Sequence, residues 1–270
     1  MYYQKFQPRK ELTSYIECYY IWESNQENTA RLKVESPPPA FTSIVFNYGD
    51  DYIVSSSKTK EQKVPRQFMV GQHTRSYTLH LPGKIAMAGI VFKPTGIAAL
   101  LQVPMFVLTE ERIDLSVFVP SEIVEATSCK IENAANAEQR VLLLEDFIYS
   151  FYLKNKPVPD VIDRAANLIV EKHGLVNINE LCKELFISQR TFERKFLQKV
   201  GLSAKYYARL RRIGYICHQM AGKKDINWQE LYYSGDFCDQ SHFIKDFTEF
   251  TGRSPTEYLA TNKELIHHLK

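Results

Sequence analysis

Residues 177–207 read NINELCKELFISQRTFERKFLQKVGLSAKYY, and residues 227–258 read NWQELYYSGDFCDQSHFIKDFTEFTGRSPTEY. The second stretch repeats the plan of the first. Asn177, Glu180 and Leu181 recur as Asn227, Glu230 and Leu231 at an offset of 50. Phe192, Phe196, Gly201 and Ser203 recur as Phe243, Phe247, Gly252 and Ser254 at an offset of 51, so the slip of one residue falls where a turn belongs. Each copy opens on Asn-x-x-Glu, the spacing of a capping box. A second helix then starts at Ser188 or Asp239, both good N-caps, and stops at Gly201 or Gly252, in the position that favours a left-handed residue. Between the copies, residues 203–220 carry one long helical pattern. Short helix, turn, helix is the unit whose second helix enters the DNA major groove. The repeat therefore predicts two reading helices joined by a rigid linker helix.

Charge follows the same division. Residues 1–159 carry 17 Lys and Arg against 17 Asp and Glu. The window 183–224 has 11 basic residues against Glu184 and Glu193, a net of +9, whereas 225–270 is net −4. A basic block of that density is the footprint of a polyanion-binding surface, once a motif accompanies it.

Upstream, the period changes. Residues 41–48, 52–56, 67–70, 77–81 and 85–92 are rich in β-branched and aromatic residues and are separated by turn signals such as Asn47-Tyr48-Gly49-Asp50 and Pro82-Gly83, which reads as strands. Val141, Leu144, Ile148 and Phe151 recur as on one helix face, predicting a helix over 138–153. Two prolines in KNKPVPD, 154–160, punctuate the chain. The expected fold is α+β in two domains. Residues 1–153 form a mainly-β domain with helices, 154–160 a linker, and 161–270 an all-α domain.

Residues 235–258 closely resemble the signature of the AraC/XylS family of transcription regulators, on the core Asp239-Gln240-Ser241-His242-Phe243 followed by Phe247, Gly252, Ser254-Pro255 and Tyr258. Residues 187–207 resemble that family's first helix-turn-helix. Phe92-Lys93-Pro94-x-Gly96-x-x-x-Leu100-Leu101, with Tyr15 to Trp22, resembles the cupin-like sensor or dimerisation barrel of some members. The chain departs from the pattern in four places. Phe186 and Asp236 stand where glycine is common in the two turns, Tyr232 replaces a small residue, and Ala204 replaces the proline seen at Pro255. These departures bear on turn geometry, not on the reading helices.

On the first reading helix, burying Phe192 and Phe196 leaves Gln189, Arg190, Glu193 and Arg194 outward. Arginine donates a bidentate pair to guanine and glutamine to adenine, which makes Arg194, Arg190 and Gln189 the candidates for base contact. Thr191, Lys195 and Lys199 are assigned to phosphate, which sets register without reading sequence. On the second helix Gln240, Ser241 and Lys245 occupy the matching arc, while His242 has two readings, a backbone contact or a structural hydrogen bond. Ser188 and Asp239 cap helix starts, whose partial positive charge favours phosphate.

The remaining signals exclude other classes. The longest run without a charged side chain, 94–109, is short and broken by Pro94, Gly96 and Pro104, which predicts no membrane span. The stretch MYYQKFQPRKEL lacks an apolar h-region, which predicts no secretory signal. Five scattered cysteines without C-x-x-C predict reduced thiols in a cytoplasm, with Cys18 and Cys238 as buried structural thiols. His73 and His80 lie near strands without a third ligand at matching spacing, and His267-His268 reads as a solvated pair, so no metal or cofactor is expected. The aromatics Tyr15, Tyr19, Tyr20, Trp22, Phe41, Phe46 and Tyr48 suit either a ligand pocket or a core. The helix 138–153 suits either pairing with a second copy or packing on its own domain. The expected partners are double-stranded DNA, RNA polymerase, a small effector of unknown identity and a second copy of the chain. The alternatives are a β-domain that only dimerises, or a DNA-binding enzyme with a reactive cysteine. No nucleophile motif supports the latter, and no enzymatic activity is expected.

Overall fold

The structure, a computed structural model, describes residues 1–24, 32–38, 41–56, 61–223 and 225–261. His267 and His268 lie outside the described residues. The N-terminal domain carries strands β1 (Tyr2–Phe6), β2 (Ile16–Glu23), β3 (Leu32–Ser36), β4 (Thr42–Asn47), β5 (Ile53–Ser56), β6 (Gln62–Lys63), β7 (Gln67–Val70), β8 (Tyr77–Leu81), β9 (Ala86–Phe92) and β10 (Arg112–Asp114). The larger sheet runs β1-β2-β9-β4-β7-β10 and the smaller β3-β8-β5-β6, with antiparallel neighbours throughout.

The larger sheet is a middle layer, and β4 shows why. Successive strand residues point to opposite faces. Ile44 and Phe46 join the core beneath helices α1 (Gly96–Leu101), α2 (Ser121–Asn133) and α3 (Ala137–Asn155), while Val45 joins the core shared with the smaller sheet. Every residue of β4 is buried as a result. The two sheets face each other across Val45, Phe68, Met87, Val54 and Leu81. Among the described residues no strand pairing joins them, so the β-rich domain is open rather than a closed barrel.

α3 packs on its own domain through Val141, Leu144, Phe147 and Ile148 and leaves Leu142 and Leu153 exposed. The expected aromatics divide between two roles. Tyr15, Tyr19 and Phe46 are buried in the core under the helices, with Tyr48 packed partly against it, whereas Tyr20, Trp22 and Phe41 face the space between the sheets.

Lys156 ends α3 in a left-handed conformation, and the helical region starts with α4 (Val161–Glu171). Asp160 and Asp163 make a reciprocal capping box there. Helices α5 (Ile178–Glu184) and α6 (Gln189–Val200), linker helix α7 (Ala204–Met220), α8 (Trp228–Ser234), α9 (Gln240–Thr251) and α10 (Pro255–Thr261) complete the chain. Their shared core centres on Phe192, Phe196, Tyr207, Phe243, Phe247 and Phe250, all fully buried. Truncating one such phenylalanine to alanine costs about 3–5 kcal/mol.

Candidate nucleic-acid interface and effector cavity

Both turns form as the repeat requires. Asn177 accepts from the backbone N–H groups of Asn179 and Glu180, and Asn227 from that of Glu230. Ser188 Oγ accepts from Thr191 N–H at 3.3 Å, and Asp239 Oδ1 from His242 N–H at 2.7 Å. Gly201 and Gly252 close α6 and α9 with φ of +91° and +78°. Phe186 and Asp236, the departures in the turns, both take the left-handed conformation that glycine would supply, at φ of +52° and +51°. Phe186 does so with 98% of its surface exposed. Tyr232, the other bulky departure, packs its ring on Phe243 with centroids 4.9 Å apart.

Gln189, Arg190 and Arg194 stand exposed along α6, with Thr191, Glu193 and Lys195 partly buried beside them. Ser188 Oγ also donates to the Thr191 hydroxyl at 2.9 Å. On α9, Gln240, Ser241 and Lys245 are exposed. The His242 ring sits edge-on to Phe237 and 3.6 Å from Asp246 Oδ2.

Four cations of the basic block are turned to other tasks. Lys199, expected at phosphate, lies 2.9 Å from both Asp160 and Asp163 and ties α6 to the start of α4. Burial alone would raise the Asp160 carboxyl, but Lys199 and the backbone donors of Ile162 and Asp163 outweigh it and hold the group below the usual range. Arg209 pairs with Asp246 and Glu249 on α9. Arg212 donates to the carbonyl oxygens of Gly235 and Asp236 at 3.3 and 3.2 Å, capping the end of α8, and burial lowers its pKa. Arg211 lines the cavity described next. The exposed cations left on the first unit and linker include Lys183, Arg190, Arg194 and Lys205.

Between the sheets lies a cavity of about 530 Å³. Its aromatic walls are Tyr20, Trp22, Phe41, Tyr52, Phe68 and Tyr77. Lys5, Lys93, Arg112 and Arg211 contribute cations against Glu17 and Glu35. The Trp22 indole N–H is buried without a partner, and Arg112 lies over the Tyr77 ring at 4.4 Å. Val170 of α4 and Tyr207 and Arg211 of α7 close one side, so both domains border the same space. Of the seven aromatics that suited either a pocket or a core, Tyr20, Trp22 and Phe41 line the cavity.

Cys18 is buried and lines the cavity, its thiol pKa raised by burial. Cys238 is exposed, contrary to the expected buried thiol, because it falls in the loop just before the Asp239 cap. His73 pairs with Glu110 at 3.4 Å, and His80 Nε2 lies 2.8 Å from Ser55 Oγ. Among the described residues no group of three or more His, Cys, Asp or Glu side chains could hold a metal ion, and no helix is long and apolar enough to cross a membrane.

Residues 181–261 match the family of helix-turn-helix domains, and residues 4–114 match a domain of unknown function (DUF6597). Among solved structures, the chain is similar to ToxT from Vibrio cholerae, with 11% identity, a TM-score of 0.48, and coverage of 90% of this chain and 97% of that one. Wild-type ToxT bound to an unsaturated fatty acid gives 13% identity, a TM-score of 0.42, and coverage of 87% and 97%. The AraC-like transcriptional activator CuxR gives 12% identity, a TM-score of 0.28, and coverage of 79% and 94%. No curated protein matches the sequence.

Proposed function

We propose that the chain is an AraC-like transcription regulator, in which α6 and α9 of the helix-turn-helix domain read double-stranded DNA while the cavity of the N-terminal domain binds a small effector. We divide the chain at 154–160, into an effector or dimerisation domain and a DNA-binding domain. Arg190, Arg194 and Gln189 are the base-reading candidates of the first unit, and Gln240 and Ser241 those of the second. Thr191, Lys195, Lys245 and the helix starts at Ser188 and Asp239 meet phosphate. The His242 ring, set against Phe237 and Asp246, positions the second helix rather than touching DNA. The chain acts by binding and not by catalysis, in the cytoplasm, and RNA polymerase is its natural partner at a promoter.

The observation that carries the effector reading is the cavity itself, whose volume of about 530 Å³ lies within the roughly 300–1,000 Å³ of ligand pockets. Cations outnumber carboxylates there, so the geometry favours a largely apolar molecule with an acidic head. A thermal-shift screen of aliphatic and aromatic carboxylates on the full chain tests this, with Leu79→Trp as the filled-cavity control. A ligand at about 100 times its Kd adds ~2.7 kcal/mol, and the control abolishes that gain. Uniform silence across the screen favours the second reading, a domain that only dimerises, for which α3 offers the exposed Leu142 and Leu153.

A further inference from the structure

We propose that the cavity reports its state to the second reading unit through the β3–β8 edge of the smaller sheet. This rests on the effector reading above and adds where the signal goes. Among the described residues β3 is an edge strand paired only with β8, and the register places Ser36 opposite Tyr77. Val34, Glu35, Ser36, Tyr77 and Leu79 of these two strands line the cavity. At that same end both strands hold the C-terminal turn of α9. The backbone N–H of Ser76 donates to the Phe250 carbonyl at 3.1 Å. The Glu35 carboxylate is ion-paired with Arg253, the residue after the glycine that closes α9.

Arg253 is well placed to pass on a displacement. Its guanidinium donates to Thr261 Oγ1 at 2.6 Å and lies over the buried Tyr258 ring at 5.3 Å, so it spans the α9–α10 junction. Its backbone N–H donates to Thr251 Oγ1, whose hydroxyl reaches the Phe247 carbonyl one turn back in α9. A shift of β3 therefore moves the end of the second reading helix.

The C-terminal end of the first reading helix rests elsewhere, and its contact with the cavity wall is the packing of Phe196 on Tyr207 of α7, with centroids 5.9 Å apart. The Gly201 carbonyl accepts from Thr109 Oγ1 at 2.8 Å, and a Cβ on Gly201 would stand 2.7 Å from the Met105 carbonyl. Neither Met105 nor Thr109 lines the cavity. Coupling between sites requires an element whose position both sites bias. The β3–β8 edge meets that condition for α9 and not for α6.

Hydrogen exchange of the full chain tests the route without DNA or effector. Leu79→Trp fills the cavity from β8. Expected is a change of roughly threefold or more in amide exchange across 245–261, larger than that across 196–205. In the Glu35→Gln background the same substitution changes 245–261 less, because of the edge's two ties to the end of α9 only the Ser76–Phe250 bond then remains. Equal changes in both segments, no change in 245–261, or an effect that persists undiminished beside Glu35→Gln overturns the proposal. Val34→Trp serves in the same comparison if Leu79→Trp does not fold. Failure of the effector reading shows separately, as absence of ligand-induced stabilisation.

Discussion

Arg209 on the linker helix and Asp246 on the second reading helix form a two-point pair, Nη2 to Oδ1 at 2.8 Å and Nε to Oδ2 at 3.2 Å. The carboxylate is almost fully buried, and Glu249 adds a third contact to the same guanidinium at 2.7 Å. Contact with these carboxylates raises the Arg209 pKa despite burial. The pair fixes α9 on the rigid helix that also carries the first unit, so it sets the relation of the two reading heads. Removing one partner of a buried pair costs about 3–5 kcal/mol. Arg209 is a quarter exposed and keeps Glu249, so we expect Asp246→Ala to cost on the order of 2–3 kcal/mol. Chemical denaturation of the full chain measures this. A loss below half a kcal/mol contradicts the structural role.

Phe186 presents the opposite case, a residue whose replacement stabilises. A left-handed backbone costs an L-residue roughly 1–2 kcal/mol, and an almost fully exposed ring returns little burial. Phe186→Gly, after the extra chain entropy that glycine loses on folding, is expected to gain about 1 kcal/mol. That corresponds to a rise in Tm of roughly 2–4 °C. An unchanged or lower Tm means that the exposed ring has a contact in the folded protein.

The uneven charge of the two units predicts an uneven salt dependence. Each phosphate neutralised contributes about 0.9 to the slope of log affinity against log salt. Reversing Lys183, Lys195 and Lys205 to glutamate, which leaves the base-reading arginines in place, should lower the slope by roughly 2–3, whereas Lys245→Glu should lower it by about one. Equal losses would mean that both heads contribute equally to affinity.

His73 and Glu110 make acid sensitivity specific. Burial lowers the His73 pKa, with Glu110 opposing and Arg112 assisting. Burial pushes Glu110 up, but the bonds from His73 and Thr74 prevail and bring it down to about 2. The folded state therefore binds fewer protons than the unfolded one at both groups. The stability from His73 is present above its unfolded pKa of about 6.5 and fades as pH falls below it. That from Glu110 fades from about 4.5 downward. The Tm should fall on acidification from pH 7 to 5, and less so in His73→Gln, measured by thermal melts across that range. An identical fall in both proteins assigns the acid response to other groups.

Much of this architecture could be read from residue order because its determinants are local. Caps, turn residues and the i to i+4 phenylalanines define α6 and α9, and β4, β5, β7, β8 and β9 alternate or run apolar within a few residues of their observed ends. β2 escaped because it lies between β1 and β9 and buries residues on both faces, so IECYYIWE shows no clean alternation. The cavity and the Glu35–Arg253 tie were not legible for a different reason. They join residues of β2, β3, β8, α7 and the α9–α10 junction, and the tie alone spans 218 positions. Net charge misled in part. The window 183–224 counts Lys199, Arg209, Arg211 and Arg212, whose tasks lie in the fold and the cavity wall.

The most direct test of the central claim is a genome-fragment binding selection with the full chain, run beside the double substitution Arg190→Ala and Arg194→Ala. Sequence-specific readout by α6 predicts a shared motif enriched by the natural chain and lost by the double variant. The same motif recovered undiminished by the double variant would contradict it.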